Sequence, residues 1–129
     1  MAALASVLSK DKMSNGFVCI EKDKTMQVEF IGNKARMASD KHFGGKLDEA
    51  QMKRLVVMII KNATHTGKSD RANAGHSVSR IIWGVVGGIT LSVVLDGEDI
   101  KKNKATVISM YDVHNVEIKA KRFNMKKVG

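Results

Sequence analysis

The stretch Leu47-Asp-Glu-Ala-Gln-Met-Lys-Arg-Leu-Val-Val-Met-Ile-Ile-Lys-Asn-Ala63 decides the fold class of this chain. Asp48 is a good N-cap residue, and Gln51 follows three residues later, which is the spacing of a capping box. Apolar residues then recur at intervals of three and four, which predicts an amphipathic helix. Its apolar face would hold Met52, Leu55, Val56, Ile59, Ile60 and Ala63. Because Val57 and Met58 widen that face, we expect the helix to be buried against a sheet.

The segments after this helix predict a loop and then a β-hairpin. Thr64–Ser77 is polar and rich in small residues, which is typical of a loop. Ser79–Val86 and Ile89–Leu95 are rich in β-branched residues and predict two strands. The pair Gly87-Gly88 lies between them, and glycine accepts the positive φ that a tight hairpin turn requires.

Further segments complete the predicted sheet. Ala105–Tyr111 predicts a third strand, and Val116–Phe123 alternates apolar and charged residues, which predicts a half-exposed fourth strand. Ahead of the long helix, Phe17–Glu21 and Thr25–Ile31 flank a Lys-Asp-Lys turn and predict an N-terminal β-hairpin, while Lys34–Ala38 could form one or two helical turns. Strands segregated from one long buried helix favour an α+β fold, with an antiparallel meander of three to four strands packed on the helix.

Composition excludes several classes of protein. The chain has 129 residues, 43% of them hydrophobic and 27% charged, as expected for a single globular domain spanning residues 1–129 rather than a disordered tail. The longest apolar runs, Leu55–Ile60 and Ile81–Val86, are shorter than the roughly 18 residues of a membrane helix, so no transmembrane segment is predicted. The single cysteine, Cys19, cannot form an intramolecular disulfide, which favours a reducing compartment, and we expect a cytoplasmic protein.

Positive charge is the strongest global feature of the sequence. The net charge is +9, and residues 101–129 contain eight Lys or Arg against two Asp or Glu. This excess predicts a polyanionic partner, with nucleic acid favoured over an anionic membrane surface. The residues that we expect to contact phosphates are Lys41, Lys46, Lys119, Lys121 and Arg122.

The chain lacks the common catalytic motifs but has several histidines in polar surroundings. No Walker-type loop, Rossmann fingerprint or Gly-x-Ser-x-Gly elbow is present, and the histidines do not have zinc-ligand spacing, so no metal or other cofactor is predicted. The histidines are His42, His65, His76 and His114. RNA carries its own nucleophile, the 2′-hydroxyl, so its cleavage needs only a general base, a general acid and a cation. Imidazole, Lys and Arg supply these groups, and we therefore expect RNA as the substrate.

The order of these elements resembles a known group of proteins. Lys41-His42 before a long helix, followed by a polar loop and a meander with Thr106 and Tyr111 on its third strand, resembles the small metal-independent ribonucleases and toxins of the barnase/EndoU/colicin/RelE group. The segments Ile89-Thr-Leu-Ser-Val-Val-Leu-Asp-Gly97 and Ala105-Thr-Val-Ile-Ser-Met-Tyr111 are similar to paired strands of its phage and toxin members. The resemblance implies an active site formed by His42, Arg80, Thr106 and Tyr111. It also implies an inhibitor protein as partner if the chain is a toxin.

The predicted function is therefore a metal-independent endoribonuclease. His42 would be the general base or acid, Arg80 would stabilise the phosphate, and Tyr111 would orient it or donate a proton. Since Thr106 and Tyr111 are five positions apart, they face opposite sides of a regular strand, so one would serve the core or a bulge would intervene. Two other functions stay open: a non-enzymatic basic nucleic-acid-binding protein, and a small matrix-like or capsid-like viral protein that self-assembles.

Overall fold

A computed structural model of the chain describes residues 17–21, 24–30, 32, 34–45, 47–69 and 79–128. Within these residues the strands are β1 (Phe17–Glu21), β2 (Lys24–Phe30), β3 (Ala63–Ser69), β4 (Ser79–Val86), β5 (Ile89–Leu95), β6 (Lys104–Asp112) and β7 (Lys126–Lys127). The helices are α1 (Lys34–His42), α2 (Glu49–Lys61), α3 (Gly97–Lys101) and α4 (Val116–Arg122).

The strands form one mixed sheet in the order β1-β2-β6-β5-β4-β3-β7. From β3 to β6 each strand pairs antiparallel with the next one along the chain, whereas β2 lies parallel to β6. β1 pairs antiparallel with β2, and β7 with β3. The predicted α+β class and the meander are confirmed. Residues 22 and 23, which would form the predicted N-terminal hairpin turn, lie outside the described residues, so that turn stays a prediction.

Helix α2 begins where the capping pattern predicts. The Gln51 backbone N–H donates to Asp48 Oδ1 at 2.8 Å, and the Asp48 backbone N–H donates to Gln51 Oε1 at 2.9 Å. These two bonds satisfy donors that a helix start otherwise leaves unpaired. The residues that α2 buries are Met52, Leu55, Val56, Val57 and Ile59.

The main core lies between helices α1 and α2 and one face of the sheet, which we call the main-core face. Alternate residues of the central strands reach it, apart from one shift in β6 between Val107 and Met110, because successive side chains point to opposite faces. They are Ile82, Val86, Leu91, Val93, Leu95, Ala105, Val107 and Met110. Gly84 belongs to the same face, and a Cβ there would overlap the backbone carbonyl oxygen of Ile59. Helix α2 therefore contacts β4 backbone to backbone.

A smaller apolar cluster covers the opposite face, which we call the α4 face. Its buried residues are Trp83, Val113 and Met125, with Ile81, Tyr111, Val116 and Ala120 partly buried around them. Helix α4 takes part through Val116 and Ala120, which are four residues apart. The sheet is thus covered by helices on both faces.

The predicted fourth strand, Val116–Phe123, is wrong, because Val116–Arg122 form helix α4. A segment of this length fits both periods: every second residue is apolar, but Val116 and Ala120 also share one side of a helix. The packing of those two residues on the sheet stabilises the helix. The third apolar residue, Ile118, is then 62% exposed.

The loop predicted for Thr64–Ser77 is wrong in its first part, because Ala63–Ser69 form strand β3. The polar, small residues of this segment are typical of a loop, but its backbone pairs with β4 on one side and with β7 on the other. Residues 70–78 lie outside the described residues. The connection between β5 and β6 contains the one-turn helix α3.

Candidate functional site

His42 occupies a well-defined position at the end of α1. The chain leaves the helix through Gly44 and Gly45, whose φ angles of 68° and 69° are accessible to glycine without steric cost. Phe43, between them and His42, is buried in the main core, and its ring meets the His42 imidazole edge-on at 6.3 Å between centroids. The His42 side chain is consequently held at the rim of the core, with 22% of its surface exposed.

Two imidazoles contact one carboxylate at this rim. His42 Nδ1 lies 3.3 Å from Asp112 Oδ1, and His114 Nε2 lies 2.7 Å from Asp112 Oδ2. Asp112 is the last residue of β6. A carboxylate bound to one ring nitrogen orients an imidazole for proton transfer at the other. In this acid–base cluster of His42, Asp112 and His114, the nitrogens left for that role are Nε2 of His42 and Nδ1 of His114.

The pKa of Asp112 lies below its usual range. Burial, the largest single influence, acts to raise this pKa, but the bond from its own backbone N–H, the bond from His114 and the charges of His114 and His42 outweigh it. In the unfolded chain the carboxyl has a pKa of about 3.9. The stability contributed by Asp112 is therefore complete above that value and is lost as the pH falls through the lower folded-state pKa. At neutral pH the carboxylate stays ionised and can hold both rings.

An open groove of about 490 Å³ adjoins His42 between α1 and the sheet. Phe30, Met37 and Met110 line its apolar part, while Asp40 and Lys41 contribute one charge of each sign. Concave surfaces with a few polar groups are the usual form of ligand sites. Lys41, which the sequence predicts to contact phosphate, thus lies beside the acid–base cluster.

Thr106 and Tyr111 lie on the α4 face, away from His42. Strand β6 contains a bulge, since Val94 pairs with Ser109 but Leu95 pairs with Val107, leaving Ile108 as an extra residue. The bulge brings Thr106 and Tyr111 to the same face. Thr106 is buried and its hydroxyl donates to Asp99 Oδ2 at 2.6 Å, so it ties α3 to the sheet.

Arg80 shares the main-core face with His42 but lies at its other end. Arg80 pairs with Leu95 of β5, whereas Asp112 pairs with Leu91. The two positions are therefore about 13 Å apart along the strands and about 10 Å apart across them. The four residues predicted to be catalytic are not brought together. Sequence reasoning did not single out Asp112, although its spacing of two from His114 at a strand end places both on one side.

Three of the other residues predicted to contact phosphates lie together on α4. Lys119, Lys121 and Arg122 occupy the last turn of α4, which is a favourable place for cations because of the helix dipole. Lys46 lies outside the described residues. The α4 cations precede Lys126 and Lys127 of β7, so positive charge accumulates near the β3–β7 edge. Contact with phosphate stays a prediction for all of them.

A row of polar side chains crosses the α4 face. Strand pairing places His65 opposite Trp83, Trp83 opposite Ser92, and Ser92 opposite Tyr111. His65 Nδ1 lies 3.0 Å from Thr64 Oγ1, but three buried atoms have no hydrogen-bond partner among the described residues: His65 Nε2, Trp83 Nε1 and Ser92 Oγ. Such an unpaired buried group costs about 1–3 kcal/mol.

Two buried serines, one with hydrogen-bond partners and one without, provide a test of these contacts. Ser39 Oγ donates to the Leu47 carbonyl at 2.9 Å and accepts from the Leu47 N–H at 3.2 Å, whereas Ser92 Oγ has no partner among the described residues. Ser39→Ala should destabilise the protein by about 1–3 kcal/mol, because it leaves both Leu47 groups unpaired. Ser92→Ala should be neutral or stabilising by about 1 kcal/mol. Urea unfolding measures both, and a larger loss for Ser92→Ala would contradict the assignment.

Comparisons with known protein families, with curated proteins and with solved structures find no match to this chain. In the part of the chain that the structure describes, no helix is long and apolar enough to cross a membrane. No three His, Cys, Asp or Glu side chains of that part are grouped to hold a metal ion; in the acid–base cluster the ring nitrogens contact the carboxylate itself. The structure thus defines a basic α+β domain with an acid–base cluster at one end of its sheet.

Proposed function

We propose that this protein is a metal-independent endoribonuclease, of toxin or phage type, that cleaves RNA by attack of the 2′-hydroxyl on the adjacent phosphate. The observation that carries the proposal is the contact of one carboxylate, Asp112, with two imidazoles, His42 and His114. This cleavage needs one group that takes a proton and one that gives a proton, and two oriented imidazoles supply both. The net charge of +9 supports a polyanionic substrate.

His42 is the better general base of the two histidines. Its side chain is 22% exposed and is held by Phe43 and Asp112, whereas the His114 side chain is 75% exposed. His42 Nε2 would take the proton of the 2′-hydroxyl as the new bond from O2′ to phosphorus forms. The protonated Nδ1 of His114 would give its proton to O5′ as the bond from phosphorus to O5′ breaks. The products would be a 2′,3′-cyclic phosphate and a 5′-hydroxyl.

Lys41 is the cation best placed to offset the charge of the transition state, because it lines the same groove as His42. In this arrangement Lys41 has the role that the sequence assigned to Arg80, and His114 has the proton-donor role assigned to Tyr111. Asp112 is a positioning residue, since it orients both rings and leaves their outer nitrogens for the substrate.

The His42→Ala variant should cleave RNA about 100-fold more slowly than the unaltered protein, because a positioned proton-transfer group contributes at least that much. Its affinity for RNA should stay nearly unchanged. Labelled RNA incubated in EDTA measures the rate, and analysis of the ends should find 2′,3′-cyclic phosphates. Cleavage should depend on pH within the range in which imidazole titrates. Lys102→Ala, at an exposed position that does not line the groove, is the control and should cleave at the normal rate.

Protein that binds RNA but leaves it intact between about pH 5 and 9, with and without divalent metal ions, would rule out the ribonuclease. That result would support the second candidate, a non-enzymatic RNA-binding protein. The cations around the β3–β7 edge favour this candidate, because RNA could bind to them without any contribution from the acid–base cluster.

A further inference from the structure

A basic cavity of about 640 Å³ lies at the β3–β7 edge of the main-core face. Strands β3, β4 and β7 each bring one cation to it: Lys68, Arg80 and Lys126. Ile60 at the end of α2 and Ile82 form part of its apolar wall. No Asp or Glu is among the described residues that line the cavity.

Two of these cations repel one another in the folded chain. Lys68 of β3 lies directly opposite Arg80 of β4, and Lys126 of β7 lies opposite Thr66, two residues from Lys68. Directly opposed residues have Cβ atoms about 4.5–5.5 Å apart, and like charges there are destabilising. Among the described Asp and Glu residues none forms an ion pair with Lys68, Arg80 or Lys126. An anion bound between the strands would relieve this repulsion.

An exposed aromatic ring adjoins the same cations. Phe123 ends α4 and lines the cavity, yet 52% of its surface is exposed. Phe123 lines the same cavity as the three cations and belongs to neither apolar cluster of the described residues. An aromatic ring beside a basic groove is the arrangement with which proteins hold single-stranded nucleic acid, because bases stack on the ring while phosphates follow the cations.

We propose that this cavity anchors single-stranded nucleic acid, with a base stacked on Phe123 and a phosphate between Lys68 and Arg80. The inference rests on the proposed function only in taking RNA as the natural ligand. Since Arg80 and Asp112 lie about 13 Å apart along the strands and about 10 Å apart across them, the cavity would hold nucleotides remote from the bond that is cleaved.

A fluorescent oligonucleotide of 2′-deoxynucleotides tests this site, because it has no 2′-hydroxyl and reports binding without cleavage. The triple variant Lys68→Gln, Arg80→Gln, Lys126→Gln should bind it at least tenfold more weakly. The slope of log affinity against log salt should become less steep by at least about 0.7, since each single-strand phosphate contact contributes about that much. The matched control is Lys101→Gln, Lys102→Gln, Lys104→Gln, which removes the same charge elsewhere and should change affinity less than twofold.

The stacking part of the proposal has its own variants. Phe123→Ala should weaken binding of the oligonucleotide about tenfold, and Phe123→Trp should retain it, because indole also stacks on bases. Heparin, a polyanion without bases, should bind Phe123→Ala as well as it binds the unaltered protein. Equal losses in the two triple variants, or no effect of Phe123→Ala, would overturn the site.

These outcomes are separate from those of the ribonuclease test. His42→Ala should bind the deoxyoligonucleotide normally, so loss of cleavage with intact binding leaves the cavity proposal standing. Absence of cleavage by the unaltered protein contradicts the ribonuclease and not the cavity. Normal oligonucleotide binding by the first triple variant contradicts the cavity even where RNA is cleaved.

Discussion

The Gly84→Ala variant should lose at least about 3 kcal/mol of its free energy of unfolding, or fail to fold. Gly84 lies in the middle of β4, and an added Cβ would overlap the carbonyl oxygen of Ile59 and come within 2.9 Å of its carbonyl carbon. Both atoms belong to the backbone of α2, so no side-chain rotation can make room. Either the helix moves off the sheet and opens the main core, or the overlap persists. Equilibrium unfolding in urea measures the loss.

Gly88→Ala is the matched control for this prediction. Gly88 lies in the β4–β5 turn with φ of 78°, and a Cβ there would meet nothing within 4 Å. Its replacement should therefore cost only the left-handed backbone strain, about 1–2 kcal/mol. If Gly84→Ala were no more destabilising than Gly88→Ala, α2 would not contact β4 as closely as the structure describes.

The Leu55→Ala variant should be destabilised by about 2–5 kcal/mol, the range found when a buried leucine is truncated. Leu55 is fully buried in the main core, on the face of α2 that contacts the sheet. The substitution removes apolar contacts and leaves a cavity that the surrounding strands can fill only in part. Urea unfolding should give a lower midpoint with an unchanged slope.

Lys61→Ala on the exposed side of the same helix is the comparison, and it should change stability by no more than about 0.5 kcal/mol. Both substitutions create alanine in a helix, so helix propensity differs little between them. Similar losses from Leu55→Ala and Lys61→Ala would mean that the two faces of α2 have been assigned the wrong way round.

Local sequence was sufficient for the parts of the fold that depend on near neighbours. The capping pair Asp48 and Gln51 and the apolar spacing of α2 act within a few residues, and the helix begins where they predict. Gly87 and Gly88 mark the hairpin turn for the same reason. The parallel pairing of β2 with β6 has no local sequence sign, since its partners lie more than 70 residues apart.

Of the candidate acid–base cluster, the sequence singled out only His42 as a catalytic residue, because the members of the cluster come from distant segments. His42 stands out in the sequence as a histidine beside a lysine at an element boundary, and the structure places it at the end of α1. Its partner Asp112 is 70 positions further along the chain, and only the packing of α1 on β6 brings the two side chains together. Arg80 and Tyr111 look equally suitable as catalytic residues in the sequence. In the sheet, however, Arg80 lies at the other end of the main-core face and Tyr111 lies on the α4 face.

Residues close along the chain were enough to define the α+β class, the position of α2 and strands β4, β5 and β6 of the meander, because capping, periodicity and turn conformations are local interactions. Contacts between distant residues decided that Val116–Arg122 is a helix, that Ala63–Ser69 is a strand, and which polar side chains meet. The bulge at Ile108 shows why local sequence does not determine which polar side chains meet. One extra residue in β6 changes which side chains beyond it face α1, so Asp112 reaches His42 while Tyr111 turns to the α4 face. Such a shift depends on pairing across the sheet, and no pattern within the strand specifies it.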